Sequence, residues 1–303
     1  NQLIQTVGSL NSLAATLTPI FAGSMIGEIT KDTSLKVVTP LLVIAMIIFA
    51  ASFVIVWFTQ LTEPETEKSD VLAGIKGALA YRQLVLGIIA IFFYVGIEVG
   101  VPGQLLFYLS EPVAKGGVLG SAAIAGLIAG VYWLLMLVGR FVSAFISGKV
   151  SSRTQLTVTS CVALLFLLVA IFMPEASKIS LTVPDLSHSC FIDAEVPAKS
   201  TLIQAEVPVK VLFIILCGLC TSVMWGVIFN LATEGLGKYT ATASGLFMTM
   251  VVGGGLMPLI QNLMARKIGD INSYWIVVAM LAYMLFYALI GSRPAKSNTE
   301  KVG

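Results

Sequence analysis

A carboxylate inside an apolar run is the first place to look for chemistry in this chain. Glu98 is the single charge between Leu84 and Leu109. At the centre of a membrane-crossing helix such a group costs about 2.5–3.5 kcal/mol on insertion scales, so it faces a bundle interior or a water-filled path and handles protons, ions or polar solute. Tyr94 stands one turn earlier and can share its face. Gly100, Pro102 and Gly103 follow at once, which predicts a broken or bent helix at mid-depth, the kind of place where transporters build sites, with Gln104 just beyond. The plainer alternative is a structural Glu98 hydrogen-bonded to a neighbouring helix.

Three further groups could do chemistry. Along 3–27, Gln5, Ser9, Ser12, Thr16, Pro19, Gly23 and Gly27 recur every three or four residues with Asn11 beside them. They read either as a close-packing seam of small residues or as a site-facing stripe in which Asn11 meets sugar hydroxyls. Trp225 and Phe229 are spaced i, i+4 and Asn230 follows, an aromatic plate with a nearby amide that can hold a sugar or can simply be core. Arg140, with Lys149 and Arg153 after it, makes a basic helix–turn. It reads as arginine snorkelling to the interface, or as a gating latch of Arg140 and Lys149 on the cytoplasmic side.

Enzyme chemistry has little to work with. The lone histidine, His188, lies in a loop, and no nucleophile triad, phosphate loop or metal cluster can be assembled, so no cofactor or metal is expected. Cys161, Cys217 and Cys220 fall in apolar spans, where they read as small packing residues.

The elements that must position these residues are membrane helices. Hydrophobic residues make up 57% of the chain and charged residues 11%, against about 25% charged in soluble domains, and the mean hydropathy is +0.94. No basic cluster with interleaved aromatics points to nucleic acid. Eight apolar runs are long enough to cross about 30 Å of hydrocarbon as helices: 3–27, 38–60, 83–109, 120–147, 155–173, 208–233, 240–265 and 271–292. The fold class is therefore an all-α polytopic membrane bundle. Gly253, Gly254 and Gly255 within one run predict a flexing or tightly packed helix.

A charged linker, 61–82, ends in an amphipathic stretch and separates two spans from six, like a domain joint. Residues 174–207 form a long polar loop containing a repeat, Ala194 to Lys199 recurring as Ala205 to Lys210. The tail from Arg293 is polar and reads as disordered. The chain begins with Asn1 and not Met, and its first apolar helix is under way by Leu3, so it reads as the later part of a longer protein. With the long 174–207 loop discounted, Lys and Arg are in excess on the side of the linker, Lys149, Arg153, Lys238 and the tail, which places that side and the C-terminus in the cytoplasm.

Three segments carry a family resemblance: Asn11 to Pro19, Ala90 to Val99, and Glu234 to Thr240 with the glycine run after it. On them the chain resembles the major facilitator superfamily, and within it the fucose/galactose/glucose:proton symporter group. The resemblance implies a twelve-helix fold of two six-helix domains with sugar bound between them. The eight spans would be helices five to twelve: 1–60 the last two helices of the N-terminal domain, 61–82 the cytoplasmic interdomain linker, 83–292 the C-terminal domain and 293–303 a cytoplasmic tail. It matches Asn11 to a fifth-helix amide that contacts sugar and Glu98 to a recurrent seventh-helix acid. The glutamine expected one turn before Asn11 falls on Gly8, and the proline–polar pair expected after Trp225 falls on Gly226 and Val227, with Asn230 as a substitute. The proton-coupling acids of the group lie in helices this chain does not contain.

These expectations converge on a secondary transporter of the inner (cytoplasmic) membrane that moves a monosaccharide, with a proton, by alternating access. Its partners would be the sugar, the proton, the lipid bilayer and the missing N-terminal helices, and no nucleic acid. The candidate sugar contacts are Asn11, Tyr94, Glu98, Gln104, Trp225 and Asn230. A drug or small-solute:proton antiporter of the same superfamily is the nearest alternative, with a membrane-embedded enzyme and a passive pore the alternatives of other classes.

Overall fold

A computed structural model describes residues 13–18, 21, 25, 35–59, 71–111, 118–146, 148–184 and 202–293. The helices are α1 (Leu35–Phe58), α2 (Val71–Leu79), α3 (Arg82–Ser110), α4 (Ala122–Ile146) and α5 (Ser152–Phe172). After a β-hairpin come α6 (Lys210–Thr221), α7 (Met224–Thr233), α8 (Thr240–Thr249), α9 (Gly253–Ile268) and α10 (Trp275–Phe286). Seven spans among the described residues are long and apolar enough to cross a membrane; α6 with α7, and α8 with α9, each make one. The eighth expected run, 3–27, lies largely outside the described residues, as do Asn11, most of the linker and the tail beyond Arg293.

α3 is the hub. It packs against α4, α7, α9 and α10, and its buried residues run right round it, from Gln83 and Leu84 to Tyr108 and Leu109. Tyrosines from the last span pin it: Tyr274, Tyr283 and Tyr287 donate to the carbonyls of Val101, Leu86 and Gln83 at 2.8, 3.1 and 3.1 Å. Helix ends follow local chemistry. Ser151 accepts the Thr154 N–H and starts α5, and Gly269, at φ 89°, stops α9 where an L side chain would be strained.

Two expectations about broken helices change places. α3 does not break at Gly100–Pro102; it is helical throughout. Proline removes only its own N–H, and the tyrosine pins and the flanking helices hold the rest of the turn in line. The span that is interrupted is 210–233, where α6 ends at Thr221 and α7 begins at Met224. Within the triple-glycine run Gly253 and Gly254 pack tightly, whereas Gly255 is exposed. A short 3-10 turn, Met250–Val252, precedes the run, and a Cβ on Gly253 would collide with the Phe92 carbonyl.

The 174–207 segment is not all loop. Lys178–Pro184 (β1) and Leu202–Pro208 (β2) pair antiparallel, with Ile179 opposite Val207, Leu181 opposite Ala205 and Val183 opposite Ile203. That is a period-two apolar face, with Lys178, Ser180 and Thr182 alternating on the other. The first copy of the repeat, with His188 and Cys190, lies outside the described residues, and the second forms the end of β2 and the start of α6.

Candidate functional site

Glu98 is not alone. Arg140, from α4, places Nη2 3.5 Å from its Oε1, and the two side chains are 6% and 16% exposed, arginine first. This corrects the snorkelling reading of Arg140: the guanidinium turns inward to the carboxylate, where an unpaired charge would be far costlier than a paired one. It also separates Arg140 from Lys149, which is exposed in the α4–α5 turn.

Arg140 makes a second contact. Its Nε donates to the Ser222 carbonyl at 3.2 Å, in the interruption between α6 and α7. An interruption frees backbone acceptors that need partners in an apolar medium, and here a charged donor supplies one. The seam between α4 and α6 allows the approach, because both lack side chains where they touch. A Cβ on Gly139 would strike Ser222, and one on Gly218 would strike the Tyr132 carbonyl. Next to this, Tyr132 shares a 2.7 Å hydrogen bond with Thr221.

Tyr94 completes the cluster. Its side chain is fully buried, and its hydroxyl lies within electrostatic reach of both Glu98 and Arg140. It makes no hydrogen bond in this conformation.

Trp225 and Phe229 form the expected plate, with centroids 5.7 Å apart and planes 6° from parallel. Phe247 of α8 meets both edge-on, so the plate is also packing. Asn230 is half-buried on the same helix. Gln104 goes elsewhere: it is buried and donates to Asp270 in the turn between α9 and α10. The residues the sequence reading missed are Ser222 and Thr221, plain small polar residues in an apolar run. Gln261 is another, 1% exposed with both amide atoms lacking a hydrogen bond and set against Gly100. Among the described residues no cluster of three or more His, Cys, Asp or Glu could hold a metal.

Seven helices long and apolar enough to cross a membrane, with a charge pair buried where α3 and α4 meet, make this a multi-pass membrane protein. Its fold is that of the major facilitator superfamily. The chain aligns with a crystal structure of the E. coli fucose:proton symporter FucP at a TM-score of 0.59 and 17% identity, covering 84% of this chain and 55% of that one. A major facilitator transporter structure of FucP in the outward conformation gives a TM-score of 0.58 at 18% identity over 84% of this chain and 54% of that one. In sequence the chain is 30% identical over 292 residues to the glucose/galactose transporter of Brucella abortus biovar 1 (strain 9-941), covering 94% of this chain. The counterpart in Brucella abortus (strain 2308) gives the same figures. The chain spans 62% of the length of these curated relatives. No family model matches it.

Proposed function

We propose that the protein carries a monosaccharide of the glucose, galactose or fucose class across the cytoplasmic membrane by alternating access, with a proton as the coupled ion. The observation that carries this reading is the Glu98–Arg140 pair buried beside the interruption that leads into the Trp225–Phe229 plate. Carboxylate, guanidinium and a spare tyrosine hydroxyl are hydrogen-bonding groups for sugar hydroxyls, and an aromatic face suits the apolar face of a pyranose. The names of the Brucella relatives favour the sugar over a drug, and transport over catalysis. The proton rests on the name of the FucP neighbour.

In this reading 1–60 closes an N-terminal domain that contributes Asn11, 61–82 is the cytoplasmic linker, and 83–292 is the C-terminal domain with Tyr94, Glu98, Trp225 and Asn230 toward the sugar. Gln104 reaches sugar only if it leaves Asp270. The tail from 293 lies in the cytoplasm, Arg140 is a gating residue through its pair with Glu98, and Lys149 belongs to the latch at the cytoplasmic α4–α5 turn. The test is uptake of labelled glucose, galactose and fucose by the complete protein in proteoliposomes, with and without an imposed proton gradient. Uptake of one of them that is lost in Glu98→Ala supports the reading; no uptake of any of the three overturns it.

A further inference from the structure

We infer that Arg140 is a positioning residue: by bridging Glu98 and the Ser222 carbonyl it fixes the angle of α7 and with it the plane of Trp225. The functional meaning of that plane rests on the sugar reading above, whereas the positioning stands on geometry alone. One guanidinium joins two elements. Nη2 meets Glu98 on α3 at 3.5 Å, and Nε meets Ser222 at 3.2 Å. Its donors form a rigid planar fork, so the direction of one contact dictates that of the other.

Trp225 lies three residues beyond Ser222, in the first turn of α7, and its ring is stacked on Phe229 one turn later. A swing of α7 about the interruption would carry both rings as one plate. Packing leaves room for that swing. A cavity of about 450 Å³ between α4 and α5 is bounded by Leu219, Ser222 and Val223, with Val142 and Val158 among its other walls. At the edge of the same cavity Gly139 lets the backbone of α4 come against Ser222, immediately beside the residue that makes the bridge. The interruption therefore borders open space and is tied by two side chains, Tyr132 through Thr221 and Arg140 through Ser222, of which Arg140 alone carries the tie on to Glu98 of α3.

Lysine in place of Arg140 would keep the charge for Glu98 but lose the fork. The experiment uses the complete protein with Trp225 as its sole tryptophan, all others being phenylalanine, in lipid nanodiscs. Emission maximum and acrylamide quenching are read for the parent, Arg140→Lys, Arg140→Gln, Gly139→Ala and the remote control Lys267→Gln. Arg140→Lys is expected to shift the emission and raise the quenching constant about two-fold. Gly139→Ala, which pushes on Ser222 with the ion pair left in place, should do the same, and Lys267→Gln should match the parent. Parent-like spectra in both Arg140→Lys and Gly139→Ala overturn the inference, whether or not Arg140→Gln folds. Uptake measured on the same samples separates the two proposals. A raised KM with Vmax held accompanies the spectral shift if Trp225 meets sugar. A spectral shift in a protein that takes up none of the three sugars leaves the positioning intact and removes the sugar reading.

Discussion

Taking away one member of a buried ion pair leaves the survivor desolvated and uncompensated, whereas taking away both leaves only a packing defect. Glu98 and Arg140 are therefore expected to behave non-additively. Glu98→Gln and Arg140→Gln should each lower stability by about 3–5 kcal/mol, and the double variant should lose clearly less than the sum. Thermal unfolding in detergent, as a double-mutant cycle, reads the coupling; additive losses would mean that the pair contributes nothing as a pair. Tyr94 makes the opposite case. Its hydroxyl is buried without a hydrogen bond, so Tyr94→Phe removes an unsatisfied polar group and should leave the unfolding midpoint unchanged or higher. If the hydroxyl serves sugar, uptake falls while stability does not, and a marked fall in the midpoint would show that it already has a structural partner. The sequence made Glu98 conspicuous because nothing else between Leu84 and Leu109 is charged. It hid the partner, since Arg140 is 42 positions away and reads as the basic end of its own helix; its place six residues inside the helix end was the available hint.

Helices were legible as elements because apolar runs of this length have one stable form in lipid. Their interruptions were not. Pro102 and its glycines suggested a break that neighbouring helices suppress, while Cys220 to Met224 carry no proline and yet hold one, because Arg140 supplies the hydrogen bond that makes it tolerable. The hairpin was missed for a related reason. Seven-residue strands with small partners such as Ala205 give a short alternating signal inside a segment that is polar overall. At this scale the α4–α6 seam gives a clean test. Gly218→Ala sets a methyl against the Tyr132 backbone and should cost about 1–3 kcal/mol as overpacking. Gly148→Ala meets no atom within 4 Å and serves as the matched control. Equal unfolding midpoints for the two variants would show that the seam yields rather than packs.

For the whole molecule, counting crossings turns the fold into a topology. Between α2 and the hairpin the chain crosses three times, through α3, α4 and α5, so the two must lie on opposite faces of the membrane. Two further crossings, α6–α7 and α8–α9, bring it to the turn at Gly269, and the last span leads to Arg293. The Gly269 turn and the α3–α4 connection therefore share the face of the hairpin. The α4–α5 turn, Lys238 and Arg293 share the face of α2. The second face carries Lys76, Lys149, Lys238 and Arg293 on short connections, against Arg266 and Lys267 at the Gly269 turn; by the positive-inside rule the second face is expected to be cytoplasmic and the hairpin outside. Single cysteines make this decisive in intact cells producing the complete protein with its native cysteines replaced. Ser180→Cys, on the hairpin, should react with a membrane-impermeant maleimide without permeabilisation, whereas Lys76→Cys, exposed on α2, should react only after it. The reverse pattern would invert the protein in the membrane, and labelling of both before permeabilisation would mean that one of the three intervening helices does not cross.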